Sequence, residues 1–384
     1  MHVNHFHLGS RRLAAAASRA LLAGAFVIGG QGVSWAQAPM PGARLVPTKT
    51  LELSGGVDSN SPALWDLEDG QPRLYVLTST AGQPSRSSGP RIARMGGAEA
   101  VTMTSPPGNG VWMEAAVADE GGIWYGYYHN EIPAEVCGRP DRTVPRIGAA
   151  RSTDHGQTWE NLGIILEAPP DGIACDSPNQ YFVGGVGDLS VLLDPSSTTL
   201  YLFFSQYSRE ATAQGVAVGR LLWATRDEPV GRVEVWSDGA WLPARAADEN
   251  ANTDPAPALT WTYPSGTPLV APEHPWHDQD PAADAFWGAS VHWNVYLQQY
   301  VMLLNRAKDE QFGQEGIYMS FAPVLDDPTL WSPPQRLVEG GSWYPQVMGI
   351  EAGTGTDKEA GARARFFMGG TSTSLIEFLP PSRR

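Results

Sequence analysis

The strongest constraint on the fold of this chain is a repeat. Five times along the sequence a short apolar strand ends in a turn and is followed by a strand rich in Tyr, Phe and Leu. The pairs are Ser61–Asp66 with Arg73–Thr78, Glu114–Asp119 with Ile123–Tyr128, Asp188–Leu193 with Thr199–Phe204, Ala289–Asn294 with Gln299–Leu304, and Tyr344–Met348 with Arg363–Met368. After most pairs comes a third strand that alternates small and apolar residues, as in Arg146–Ala150, Gly219–Ala224 and Gly316–Phe321. A fourth, marked by Trp159 or Trp331, completes the unit. A unit of this kind cannot cover its own apolar face, so neighbours must stack on one another. Five four-stranded antiparallel units in series predict an all-β chain folded as a five-bladed β-propeller.

The last unit is one strand short, because only Ser374–Phe378 follows its second strand. The strand-like stretch Leu45–Leu53 precedes the first unit and is expected to supply the missing outer strand, leaving no sheet edge open. With 42 Gly, 32 Pro and only 17% charged residues, the composition suits many short strands joined by tight turns. A proline-rich stretch at about 246–286 is expected to be a long insertion between the third and fourth blades. At the N-terminus, Arg11, Arg12 and Arg19 lead into the apolar run Leu21–Ile28, and Ala36-Gln37-Ala38 has the small-x-small pattern of a cleavage site. Residues 1–38 are therefore expected to be a secretory signal peptide, and 39–384 a single propeller domain, secreted or periplasmic and monomeric. No later run approaches the roughly 20 apolar residues of a membrane helix, so no membrane insertion is expected. The only two cysteines, Cys137 and Cys175, should pair in an oxidising compartment. A formal charge of −15 argues against nucleic acid as a partner and suits a neutral ligand.

Propeller connectivity sorts these residues by face. Inner-strand starts and the loops between second and third strands share the upper face, where binding residues gather around the channel. This places Asp58, Asn60, Glu114, Asp188, Trp343 and Tyr344 together, with His129, Glu131, Glu315 and both cysteines on neighbouring loops. The lower face receives Ser152-Thr-Asp154-His-Gly156-Gln-Thr158-Trp159, which matches the Asp-box pattern S-x-D-x-G-x-T-W. That motif is a structural turn, with Asp and Ser serving turn amides and Trp packing inward.

Carboxylates from different blades that converge near one axis are what hydrolysis of a glycosidic bond requires: one activates water or attacks, and another group protonates the leaving oxygen. Asp58 and Asp188 are the best pair, each preceding an apolar strand. At these two positions, and in its architecture, the chain resembles the five-bladed propeller glycosidases of glycoside hydrolase family 43 and its relatives in families 62 and 117. The resemblance implies an inverting hydrolase acting on a polysaccharide or oligosaccharide, with Asp58 as general base and Asp188 tuning pKa and orienting substrate. The usual Asp-Pro pair is spread here to Asp58-x-x-x-Pro62, and the fourth blade opens Trp287-Gly-Ala-Ser-Val-His292 where a Glu acid is expected. Glu315, Glu114 and His292 stand as candidate acids in that order, His292 because a His acid has been proposed in family 117. Asn60, His129, Trp287, Trp343 and Tyr344 are candidates for contact with substrate.

Other readings stand beside these. Asp58 and Asp188 could cap turns or hold a structural Ca2+ in the central channel, although the chemistry requires no cofactor. His292 could be a core histidine, and the tryptophans could be blade packing. The Asp-box also prompts a sialidase-like hydrolase, and the missing fourth-blade Glu prompts a carbohydrate-binding propeller without catalysis.

Overall fold

The computed structural model describes residues 40–246, 261–274 and 283–381, all within one compact unit, Pro39–Arg384. The leader assigned to 1–38 lies outside the described residues, as does part of the expected insertion. Five antiparallel sheets form the blades of a propeller. Blade one comprises Ala63–Glu68, Gln71–Thr80, Gln83–Gly89 and Glu99–Ala100; blade two comprises Gly110–Ala118, Trp124–Ala134, Arg139–Ser152 and Thr158–Leu166. Blade three runs through Val186–Leu193, Thr199–Gln206, Gly215–Leu222 and Glu234–Ser237, and blade four through Phe286–Asn294, Gln299–Ala307, Gln314–Ala322 and Gln335–Glu339. Blade five holds Pro345–Gly349, Arg363–Met368 and Thr371–Leu379, and its outer strand is the N-terminal Gly42–Glu52, paired from Gly42↔Leu379 to Glu52↔Thr371. The ring is closed as the sequence predicts.

Three blades extend the four-strand unit by a short fifth strand. Thr102–Thr104 runs parallel to the outer strand of blade two, Ala240–Pro243 adds a hairpin to blade three, and Glu359–Ala360 runs parallel to the inner strand of blade four. Trp331 sits at the end of a 3-10 turn ahead of the fourth strand of its blade, with its ring 5.5 Å from that of Phe203. Within the insertion, Arg245–Ala246 and Trp261–Thr262 pair as a small ribbon.

The blades cohere because each sheet is apolar on both faces. In the second strand of blade one, Leu74 to Ser79 are all buried. An apolar layer fills every gap around the ring: Leu64, Tyr75, Trp124 and Trp159 between blades one and two, and Tyr127, Leu189, Phe204 and Val235 between two and three. Phe203, Val218, Val291 and Met302 fill the next gap, Leu303, Phe321, Phe366 and Phe378 the one after, and Val76, Met348 and Phe367 the last.

Apart from the short pairing of Glu359–Ala360 in blade four, the inner strands lack a strand partner on the channel side, so side chains satisfy backbone groups there. Asn60 Nδ2 donates to the carbonyls of Leu189 (3.0 Å) and Ala289 (2.9 Å), tying blade one to blades three and four. Gln346 exchanges two hydrogen bonds with the backbone of Ser61, and Ser190 Oγ accepts from the amide of Val291 at 3.0 Å.

Candidate active site at the channel mouth

Three inner strands break register with their hairpin partners near the upper face: between Met113 and Ala115 in blade two, Gly187 and Leu189 in blade three, and Trp287 and Ser290 in blade four. A bulge leaves a residue unpaired and re-aims its side chain. In blade two that residue is Glu114, and in blade three Asp188, whose φ of 41° lies in the left-handed region. In blade four the break encloses Gly288 (φ 58°) and Ala289, so the blade from which an acid is expected presents no carboxylate there. Asn305 Nδ2 lies 2.5 Å from where a Cβ on Gly288 would stand.

The two bulged carboxylates face an open cavity of ≈ 220 Å³ lined by Asp58, Trp112, Glu114, His129, Glu131, Phe182, Asp188 and Tyr344. Asp58 enters from the lead-in to blade one, its amide bonded to Ser79 O at 2.8 Å, and its carboxylate accepts from the Trp112 indole. Glu114 Oε2 accepts the Leu189 amide at 2.5 Å. His129, on the second strand of blade two, accepts the Asp188 amide on Nδ1 at 3.1 Å, while Nε2 lies 3.3 Å from Glu131 Oε1. This close approach needs Gly187, since a Cβ there would sit 2.4 Å from His129 Nδ1. Asp188 accepts the phenols of Tyr207 and Tyr344. Tyr344 is also left-handed, at φ 56°.

Glu114 is 2% exposed and Asp188 4%. Burial and then the charge of Asp188 push the Glu114 carboxyl well above the usual range, which favours the protonated acid. Burial raises Asp188, and the Tyr207 hydrogen bond opposes it. Asp58 is raised by burial and by Asp188 and Glu131, against the Trp112 hydrogen bond. For His129, burial disfavours charge, but Glu131, Asp188 and Glu114 outweigh it and push the ring up to about 9. The backbone geometry opposes that proton: an N–H cannot face an N–H, so the amide of Asp188 selects the neutral tautomer with hydrogen on Nε2. The bulge fixes that amide, and with it the tautomer.

Glu114, His129 and Asp188 each offer a ligand atom, all within 4.8 Å of one another. The set is poor for the Ca2+ considered for the channel. Ca2+ takes six to eight oxygens, whereas one of these three donors is a nitrogen already accepting an amide hydrogen bond.

Of the residues the sequence singles out, Asp58, Glu114, His129, Asp188 and Tyr344 meet in this cavity. Others do not. Glu315 pairs with Arg336 at 3.1 Å and Arg306 at 3.8 Å, outside the lining. His292 is 0% exposed, with both ring nitrogens unpartnered and its ring 5.5 Å from Phe378; burial pulls it down to about 3, so it is a neutral core imidazole. Asn60 is the channel pin described above. Trp287 is buried among Phe312, Trp343 and Tyr344, and the indole of Trp343 donates to Phe312 O at 2.9 Å. These two tryptophans back the wall carrying Tyr344 and do not line the cavity.

Sequence reasoning gave no role to Trp112, Glu131, Phe182 or Tyr207. The available signal was hairpin pairing: the end of each second strand lies opposite the start of its inner strand, as Trp112↔His129 and Val186↔Gln206 show. Phe182 arrives on the crossover from blade two to blade three. Cys137 and Cys175 form a disulfide that ties this crossover to the loop of blade two. Asn179 Oδ1 secures it further by accepting the amides of Tyr181 (2.7 Å) and Phe182 (2.8 Å).

No protein-family model matches the chain, and no curated protein matches it. Solved structures with a similar chain path include a thermostable family-43 glycoside hydrolase, 11% identical, with 85% of this chain and 90% of that one covered and a TM-score of 0.48. An endo-arabinase from Bacteroides thetaiotaomicron is 9% identical over 86% and 98% of the two chains, with a TM-score of 0.46. The alpha-L-arabinanase of Penicillium chrysogenum is 12% identical over 86% and 83%, with a TM-score of 0.45. This chain is similar in path to those three structures.

Proposed function

We propose that the protein is an exported glycoside hydrolase, with Asp58 as general base, Glu114 as general acid and Asp188 as the carboxylate that orients substrate and holds Glu114 protonated. One observation carries this reading: carboxylates from three blades reach one cavity with unlike environments, Glu114 buried and driven toward its neutral form, Asp58 exposed and able to meet water. In the forward reaction water gives a proton to Asp58 as its oxygen attacks the anomeric carbon, and Glu114 gives its proton to the departing glycosidic oxygen. The Asp188 charge opposes ionisation of Glu114 between turnovers. Inversion is the expected stereochemistry.

The cavity is small and partly open to solvent. It suits one sugar ring, with the rest of the glycan outside. Neither lysine nor arginine lines it, which disfavours a sialic acid or other anionic sugar among four carboxylates. Export is supported by the disulfide, and among the described residues no helix is long and apolar enough to cross a membrane.

A panel of neutral oligosaccharides and aryl glycosides, read by released sugar and by the anomer first formed, tests the proposal. Turnover lost in Asp58→Asn, together with a Glu114→Gln defect that shrinks on substrates with an acidic leaving group, is the expected result. Binding without release by the wild-type protein would leave a carbohydrate-binding propeller instead.

A further inference from the structure

Asp188 is a crowded buried charge. His129 and Glu131 face it from the second strand of blade two, Glu114 from the inner strand of that blade, Asp58 from blade one, Tyr344 from the entry to blade five and Tyr207 from its own blade. Its neighbours include three other carboxylates, and its backbone is held at positive φ. The phenol of Tyr207 donates directly to its carboxylate, and that of Tyr344 faces it.

These phenols differ in one respect. Tyr344 lines the cavity and can touch a ligand, whereas Tyr207 does not line it. Tyr207 is 2% exposed, with its ring packed 4.7 Å from Phe182 and 5.7 Å from Phe312, and its amide bonded to Gly185 O at 3.0 Å. Those contacts leave the ring no room to turn, so its hydroxyl is aimed at Asp188 Oδ2 by the aromatic cluster and by the hairpin that carries both residues.

We infer that Tyr207 is a positioning residue, a fixed donor that sets the orientation of Asp188 and preserves its negative charge beside Glu114. This rests on the hydrolase reading for its catalytic consequence, but not for its physical content. A hydrogen bond that favours the ionised form keeps a carboxylate charged in a crowded, buried place. Without the hydroxyl, Asp188 should take up a proton at higher pH, and Glu114 would lose the neighbour that holds its own proton.

The test is Tyr207→Phe, which removes the hydroxyl and keeps the ring. Tyr128→Phe serves as the matched control, since its buried phenol donates to Asn161 Oδ1 at 2.7 Å, away from the cavity. Carboxyl 13C NMR titration, with the Asp188 signal assigned through Asp188→Asn, should show the Asp188 pKa raised by about one unit or more in Tyr207→Phe and unmoved in Tyr128→Phe. On a substrate found by the glycan panel, kcat should fall about 10- to 100-fold with KM little changed, and the acid limb of the pH profile should move up with the titration. If Tyr207→Phe fails to fold, 3-fluorotyrosine placed at position 207 makes the donor stronger and should lower the Asp188 pKa instead. An Asp188 titration that ignores these changes overturns the inference. A shifted titration in a protein that turns over no glycan upholds it and overturns the hydrolase reading.

Discussion

Asp154 stands in a turn on the lower face and Asp188 in a strand bulge at the channel mouth, and their surroundings drive them in opposite directions. Asp154 closes the turn between the third and fourth strands of blade two. Its Oδ1 accepts Ser152 Oγ (2.8 Å) and the amides of Gln157 (3.1 Å) and Thr158 (2.8 Å), and its Oδ2 accepts Thr158 Oγ1 at 2.6 Å. Burial alone would raise it, but those donors pull its carboxyl below the usual range. The turn then locks Trp159, whose indole donates to Gly156 O at 2.9 Å. Asp188 is held by two phenols, sits among other carboxylates and ends above the usual range. A carboxylate whose lone pairs are filled by the local backbone is a stable structural part. One left crowded with its own kind retains free energy that a reaction can use.

The largest effect that would break this contrast lies at the mouth. Asp58→Asn and Glu114→Gln should each lower kcat on a responsive glycoside about 10²- to 10⁴-fold while the melting temperature stays close to wild type; an Asp154→Ala protein with an equal catalytic loss would erase the distinction. Next comes Gly187→Ala. The added Cβ meets His129 and must displace either the ring or the bulge, so turnover should drop about 10- to 100-fold, with a change in the His129 imidazole signals as an independent readout.

On the lower face, Asp154→Ala should destabilise the fold by about 1–3 kcal/mol in urea unfolding and leave kcat unaltered. The smallest effect concerns His292. Its folded-state pKa, about 3, lies below the 6.5 of an unperturbed imidazole, so below pH 6.5 the unfolded chain binds a proton that the folded chain refuses. Its neutral form costs nothing above pH 6.5, and stability is lost as pH falls from there toward 3, by up to about 1.4 kcal/mol per unit. His292→Leu should flatten that part of the stability profile, measured by denaturant unfolding at pH 7, 6 and 5. A slope identical to wild type would remove His292 from the acid response.

Much of this was legible in the residues. Runs such as Arg73-Leu-Tyr-Val-Leu-Thr78 and Thr199-Leu-Tyr-Leu-Phe-Phe204 sit in strands buried on both faces, and the Leu45–Leu53 stretch closes the ring within the observed strand Gly42–Glu52. Repeat phase alone puts Asp188 at an inner-strand start and Asp58 in the lead-in to another. Which candidate acid reaches the cavity was harder to read. Glu114, Glu315 and His292 are all on or near the same face by connectivity, and what separates them is side-chain direction. Glu114 reaches the cavity through a bulge, Glu315 is drawn off by two arginines, and His292 turns into the layer between blades four and five.

The sequence by itself therefore determined the parts set by near neighbours: strands from alternating apolar residues, turns from Gly, Asp and Asn, five units from their recurrence, and a closing strand from the count. These follow from backbone preference and from burial of apolar faces, which act at short range or by simple number. The tertiary structure alone decided which carboxylates share a cavity and which of them is buried enough to keep its proton. That choice depends on one-residue register shifts at Glu114 and Asp188 and on burial by blades distant in sequence, and electrostatic interactions change over the few ångströms such shifts control.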